Sequence, residues 1–233
     1  MLKHREILHP SLLLTAVGVL GMLAACAQQP SQLAERLPAP QGEAVNARPY
    51  AVQPEVRRQP AQALAAAAAT AINPYVGGTA MLGTRTIADN CAAAPNLRVL
   101  TRMVAASNAG RALSEAGPIT VFAPTDAAFA RLPNGAADQL LASANRPALS
   151  KVMSYHVVQG AITLNQVRAR IDAGGGIARL PTVAGAPLTA TKEGAAIALT
   201  DANGSKSYVE TPDIQQVNGV VHVVNGVLVP QLG

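Results

Sequence analysis

Ile119-Thr120-Val121-Phe122-Ala123-Pro124-Thr125-Asp126-Ala127-Ala128-Phe129-Ala130-Arg131-Leu132 joins a short apolar run to the start of a helix. Nearly every residue from Ile119 to Ala123 is apolar, the pattern of a strand covered on both faces. Pro124 has no N–H to donate and is expected to end the pairing. Thr125 or Asp126 then offers a side-chain oxygen to the open N–H groups of the next turn, and Phe129 and Leu132 follow at the spacing that returns a helix face to the core. A second apolar run, Val217 to Pro230, lies far downstream. The two runs are expected to be neighbours in the core, with the intervening chain hung on that pair.

Upstream of this stretch, Thr86 and Asp89 flank Ile87-Ala88 as a capped helix start, and Pro95 breaks that helix. Asn96 opens a second helix, with Leu97, Leu100 and Val104 on one face, and Asn108-Ala109-Gly110 closes it. Downstream, residues 135–144 and 147–154 suit two more helices, and Tyr155-His156-Val157-Val158 reads as a strand. A short helix over 164–171 ends at Gly174-Gly175-Gly176. Short β runs follow over 177–183, 187–192, 195–200, 205–211 and 220–224, with Glu193-Gly194 and Asn203-Gly204 as hairpin-type turns. Helices first and strands afterwards give an α+β class.

The N-terminal residues 1–25 read as a signal peptide: Lys3 and Arg5 precede a short apolar stretch, Ser11 to Leu23. That stretch falls short of the roughly 20 apolar residues that span a bilayer. Leu23-Ala24-Ala25-Cys26 resembles the lipobox of bacterial lipoproteins, which implies acylation of Cys26, anchoring in a membrane through the lipid, and a cell-envelope location; the alternative is an ordinary secretory signal. Each buried acyl CH₂ contributes about 0.8 kcal/mol of membrane affinity. Ala27 stands where an Asp commonly signals inner-membrane retention, which favours the outer membrane. Residues 26–84, rich in Pro, Ala and Gln, show no sustained apolar period and are expected to be a disordered tether spanning about 40 Å. Globular character is expected over 85–233.

The formal net charge of +5 is dispersed, without the basic run of a nucleic-acid footprint, and the chain has no Trp, so base-stacking platforms are not expected. Two cysteines and four histidines fall at no metal-ligand spacing, so neither metal nor cofactor is expected. Cys91 is read as a buried small hydrophobe, with a reactive thiol and an intermolecular link as the alternatives. His156 and His222 lie in apolar runs, where a histidine is expected as a neutral core residue with both ring nitrogens hydrogen-bonded. No nucleophile elbow or phosphate loop is present, since the triple glycine lacks the following Lys, and an enzyme is not expected.

Three blocks now stand in order: Thr120 to Phe129, Tyr155 to Val158, and Val217 to Val224 continuing into Val227-Leu228-Val229-Pro230. Together they resemble the conserved blocks of the fasciclin domain, over about residues 85–233. The resemblance implies a wedge-like β-sandwich of two sheets with several short helices packed to one side. It also implies structural-motif roles for Thr125, Asp126 and His222. In some extracellular relatives the Tyr-His element and an Asp-Ile pair are linked to partner binding, which here would be Tyr155, His156, Asp213 and Ile214; the alternative for Tyr155 is a core aromatic. The function so implied is non-catalytic binding of a surface protein or polysaccharide, in adhesion or matrix-type contacts. The rival is a periplasmic carrier of a small apolar ligand.

Overall fold

The computed structural model describes residues 54–107, 109–114 and 117–232. In chain order they form α1 (Pro54–Thr70), a hairpin of β1 (Tyr75–Val76) and β2 (Thr79–Ala80), α2 (Ile87–Ala93), α3 (Arg98–Ala106), α4 (Gly110–Ser114) and β3 (Ile119–Pro124). Next come α5 (Asp126–Phe129), α6 (Ala136–Leu141), a 3-10 turn at Ser143–Asn145, α7 (Arg146–Tyr155), β4 (Val157–Gln159) and α8 (Leu164–Ala173). The rest is strand: β5 (Ile177–Pro181), β6 (Pro187–Glu193), β7 (Ala196–Thr200), β8 (Lys206–Gln216) and β9 (Gly219–Val224). The class is α+β.

Strands β3 to β9 lie in the order β4-β3-β9-β8-β7-β6-β5, and β1 and β2 pair separately. The two apolar runs are neighbours: β3 and β9 pair in parallel, from Ile119 opposite Gly219 to Pro124 opposite Val224. Pro124 is thus the last paired residue, one position later than expected. The reason is directional. Phe122 N–H donates to the His156 carbonyl, on the side away from β9, and alternation places the Pro124 nitrogen on that side, beyond the end of β4. No ladder bond is lost there.

β8 belongs to two sheets. Its first residues, Lys206 to Tyr208, pair with β7, and Val209 to Gln216 pair with β9, with register shifts on either side of Thr211. These bulges bend the strand from one sheet into the other. The Val158–Thr182 bridge and the Val183 N–H bond to the Val157 carbonyl (2.8 Å) bring the outer edges together. Because side chains alternate along β3, Val121 and Ala123 face a core against α2, α3 and α7, while Phe122 faces a second core with Tyr155, Leu180, Leu188 and Leu228. Burying a side chain of that size stabilises by about 1.5–3 kcal/mol.

Two expectations fail. The first is the tether: residues 26–53 lie outside the described residues, as does the signal peptide with Cys26, but from Pro54 onward the chain is helix and hairpin docked on the domain. Two small residues allow the docking, Ala68 on α1 and Gly83 on the segment it meets. Ala68 is buried, and a Cβ on Gly83 would meet the Ala68 carbonyl at 1.7 Å. The Asn73 amide then pairs with the backbone of β8, donating to the Gln215 carbonyl (2.7 Å) and accepting its N–H (2.8 Å). Tertiary packing of this kind holds a helix that would be marginal alone. The second is Tyr155-His156, which is helical: Leu149, Val152, Met153 and Tyr155 are the buried positions of α7, and His156 is its C-cap.

Candidate functional site

His156 and His222 are both buried and both fully occupied. His156 Nδ1 lies 2.8 Å from the Val152 carbonyl, and Nε2 accepts the Leu228 N–H at 3.0 Å. Burial pushes its pKa down to about 4, against smaller opposing effects of the Val152 carbonyl and Asp201. His222 Nδ1 accepts the Asp213 N–H at 3.1 Å, Nε2 donates to the Ile162 carbonyl at 2.8 Å, and the ring stacks on Phe122 with centroids 5.4 Å apart. Burial lowers its pKa as well, with the Ile162 carbonyl and Asp213 opposing. Each ring is a clip between backbone segments: His156 ties the end of α7 to the C-terminal segment, and His222 ties β9 to the approach to α8.

Of the residues assigned to partner contact, Tyr155, His156 and Ile214 are buried, with at most 1% of their surface accessible. They cannot meet a partner directly. Tyr155 fills the second core and donates its hydroxyl to the Pro187 carbonyl at 3.0 Å. Asp213 is half-exposed, but its carboxylate accepts the Leu164 N–H at the start of α8 (2.7 Å). Its φ of 60° is left-handed, set by the bend in β8. The pair therefore shapes the sheet crossing, and of the four residues only Asp213 keeps an accessible side.

Thr125 is the N-cap of α5, its hydroxyl accepting the Ala128 N–H at 3.2 Å. Asp126 does something else: Oδ1 accepts the Val99 N–H, and its own N–H donates to the Asn96 carbonyl, both at 2.8 Å. Among the described residues no group of three or more His, Cys, Asp or Glu is placed to hold a metal ion. The Cys91 thiol is buried and free, and burial pushes its pKa up to about 12, so it carries almost no thiolate at neutral pH.

The surface offers a trough instead. A cleft of mixed lining, about 420 Å³, lies between the end of α5, the β7–β8 turn and residues 225–229, with Arg131, Asn203, Ser205, Lys206 and Asn225 among its residues. An apolar groove of about 390 Å³ lies between α6, α7 and the C-terminal segment, lined by Ala136, Leu140, Ala148, Val152 and Leu232. Leu132, Pro133 and Val229 line both. Arg131 donates from Nη1 to the Asn225 carbonyl at 3.0 Å and has no carboxylate partner among the described residues. Lys206 pairs with Glu193 at 2.6 Å. Asp201, the acid in the cleft, holds the turn together: Oδ1 accepts from Asn203 and Ser205 N–H, and Oδ2 from Val229 N–H.

The family profile of the fasciclin domain matches residues 95–230. The chain belongs to the fasciclin-domain family. It is similar to Protein sll1483 of Synechocystis sp., with 35% identity over 173 residues, covering 74% of this chain and 89% of that protein. It is also similar to transforming growth factor-beta-induced protein ig-h3 of Sus scrofa, 32% identical over 118 residues, which cover 51% of this chain and 15% of that one. Among solved structures it resembles a FAS1 domain pair from the insect cell adhesion molecule fasciclin I, with a TM-score of 0.56 and 18% identity over 65% of this chain and 52% of that chain. That likeness shows the fasciclin fold.

Within this fasciclin domain the sequence motifs are core and caps, and the trough is what sequence reasoning missed. Its cations and apolar residues come from separate segments, 131–152, 203–206 and 225–232, and form no motif.

Proposed function

We propose that this fasciclin domain acts by binding rather than by chemistry, in adhesion or matrix-type contacts with a surface protein or polysaccharide. In this reading it works from the outer membrane of the bacterial envelope, held there by an acylated Cys26. The observation that carries the reading is membership of a family whose fold is shared by a FAS1 pair from an insect cell adhesion molecule. The occupation of both histidines by backbone partners supports the non-catalytic part. No helix among the described residues is long and apolar enough to cross a membrane.

Metabolic labelling with an alkynyl fatty acid tags the wild type and not Cys26→Ala; equal tagging removes the anchor from the reading. Cross-linking of intact cells followed by pull-down on the chain recovers an envelope protein or polysaccharide, and recovery of neither removes adhesion.

The trough favours a second reading, the carrier of a small apolar ligand, because its volume falls in the roughly 300–1,000 Å³ range of small-molecule sites. Native mass spectrometry of gently purified protein tests it through a co-purifying mass.

A further inference from the structure

We propose that the trough binds one long-chain carboxylate, its head group at Arg131 and Lys206 and its acyl chain along the groove between α6 and the C-terminal segment. The proposal rests on the carrier reading for its site and goes beyond it in naming the ligand.

Polarity changes along the trough in one direction. At one end Arg131 has no carboxylate partner among the described residues, and Lys206 lines the same cleft while paired with Glu193, which lies outside the lining. The charge of Asp201 is engaged by three backbone N–H groups. An anion there is met first by Arg131, which has no carboxylate partner among the described residues, and by Lys206 only in competition with Glu193. Beyond the shared wall of Leu132, Pro133 and Val229 the lining turns apolar.

That apolar end is an unfinished core. α6 contributes no buried residue, although Ala136 and Leu140, four apart and so on one face, both line the groove. Leu232 across from them is 48% exposed. Apolar area left half-covered on both walls gains from a chain laid between them.

The hydrogen-bonding of the groove separates an acyl chain from a peptide. A peptide brings backbone N–H and C=O groups that cost free energy when buried unpaired. Here the Gln139 carbonyl already accepts from Asn145 Nδ2 at 2.7 Å, and no strand borders the groove to pair with an added one. A hydrocarbon chain makes no such demand.

Isothermal titration calorimetry of the full chain at pH 8, with octanoate, decanoate and dodecanoate below their micelle concentrations and decan-1-ol as the uncharged match, tests this. Saturable one-to-one binding is expected, tightening about twofold to fourfold per added methylene. Decanol binds more weakly than decanoate. Arg131→Gln weakens decanoate about threefold to fivefold, as for an exposed ion pair, and leaves decanol unchanged. Leu140→Asn weakens both, with its fold checked by circular dichroism. Decanol binding as tightly as decanoate, no dependence on chain length, or no effect of Arg131→Gln would overturn the proposal while the carrier reading stands. Absence of saturable binding by every one of these amphiphiles overturns both, and the adhesion reading is untouched by either result.

Discussion

Asp126 Oδ1 accepts the backbone N–H of Val99 at 2.8 Å, and Val99 is the second residue of α3, a helix whose N-cap position is the apolar Leu97. A carboxylate from the strand-to-helix junction thus supplies the oxygen that α3 lacks locally, at the helix end where negative charge is favourable. Asp126→Ala should lower stability by about 1–2 kcal/mol. Asp126→Asn, which keeps an oxygen at the same place, should lose less than half of that. Urea midpoints at constant slope measure both, and equal losses for the two variants would contradict capping.

Acid should destabilise the domain through His156. Its native pKa of about 4 lies below the ordinary 6.5, so between those values the unfolded chain takes up a proton that the native state refuses. The stabilisation is fully present above pH 6.5, is lost as pH falls toward 4, and amounts to about 3 kcal/mol in order of magnitude. His222 acts in the same direction. Urea unfolding across this window should show the decline, and His156→Gln should be less stable at pH 8 but show a flatter slope. Stability that rises on acidification would refute the assignment.

Asn73→Ala removes three hydrogen bonds, two of them to Gln215 and one to the Met81 carbonyl. The Gln215 N–H and C=O then lose their partner on the open side of β8, at a cost of roughly 1–3 kcal/mol. Hydrogen exchange at the Gln215 amide should quicken while amides of β3 stay protected. Unchanged exchange there would show that α1 and the hairpin do not guard that edge.

Gly219→Ala should be among the worst substitutions in the chain. A Cβ at that position would meet the Ile119 carbonyl oxygen at 2.0 Å, in the first pair of the β3–β9 register. Backbone cannot yield there without opening the ladder, and a loss of about 3 kcal/mol or more is expected. Thermal unfolding of Gly219→Ala beside Gly204→Ala provides the scale. The turn glycine Gly204, at φ 82°, meets nothing within 4 Å, so its substitution reports backbone strain alone.

The adjacency of β3 and β9 was legible because an unbroken apolar run has one comfortable place, a strand covered on both faces. The Thr125 cap was legible because its partner, Ala128, is three residues away. What was not legible depends on long-range partners. Asn73 acts across 142 residues of sequence, and nothing local distinguishes it from any loop asparagine. An alanine-rich helix between prolines looks like a tether until the backbone it packs on is known. Tyr155-His156 was mistaken for strand because four residues cannot separate the end of an amphipathic helix from an alternating run. The trough was invisible for a different reason: Arg131, Lys206, Leu140 and Leu232 become neighbours only once the two sheets and α6 are in place.

The parallel pairing of β3 with β9 also has a bearing on biosynthesis. Val121 lies opposite Val221, one hundred positions later, so β3 is made long before its parallel partner. Contacts that close so long a loop form slowly, and here they have nothing to close upon until β9 has been made. A nascent chain paused anywhere before Gly219 keeps β3 without its parallel partner. Such a polypeptide lacks the central pair of its sheet, and the fold closes only once Gly219–Val224 has joined β3.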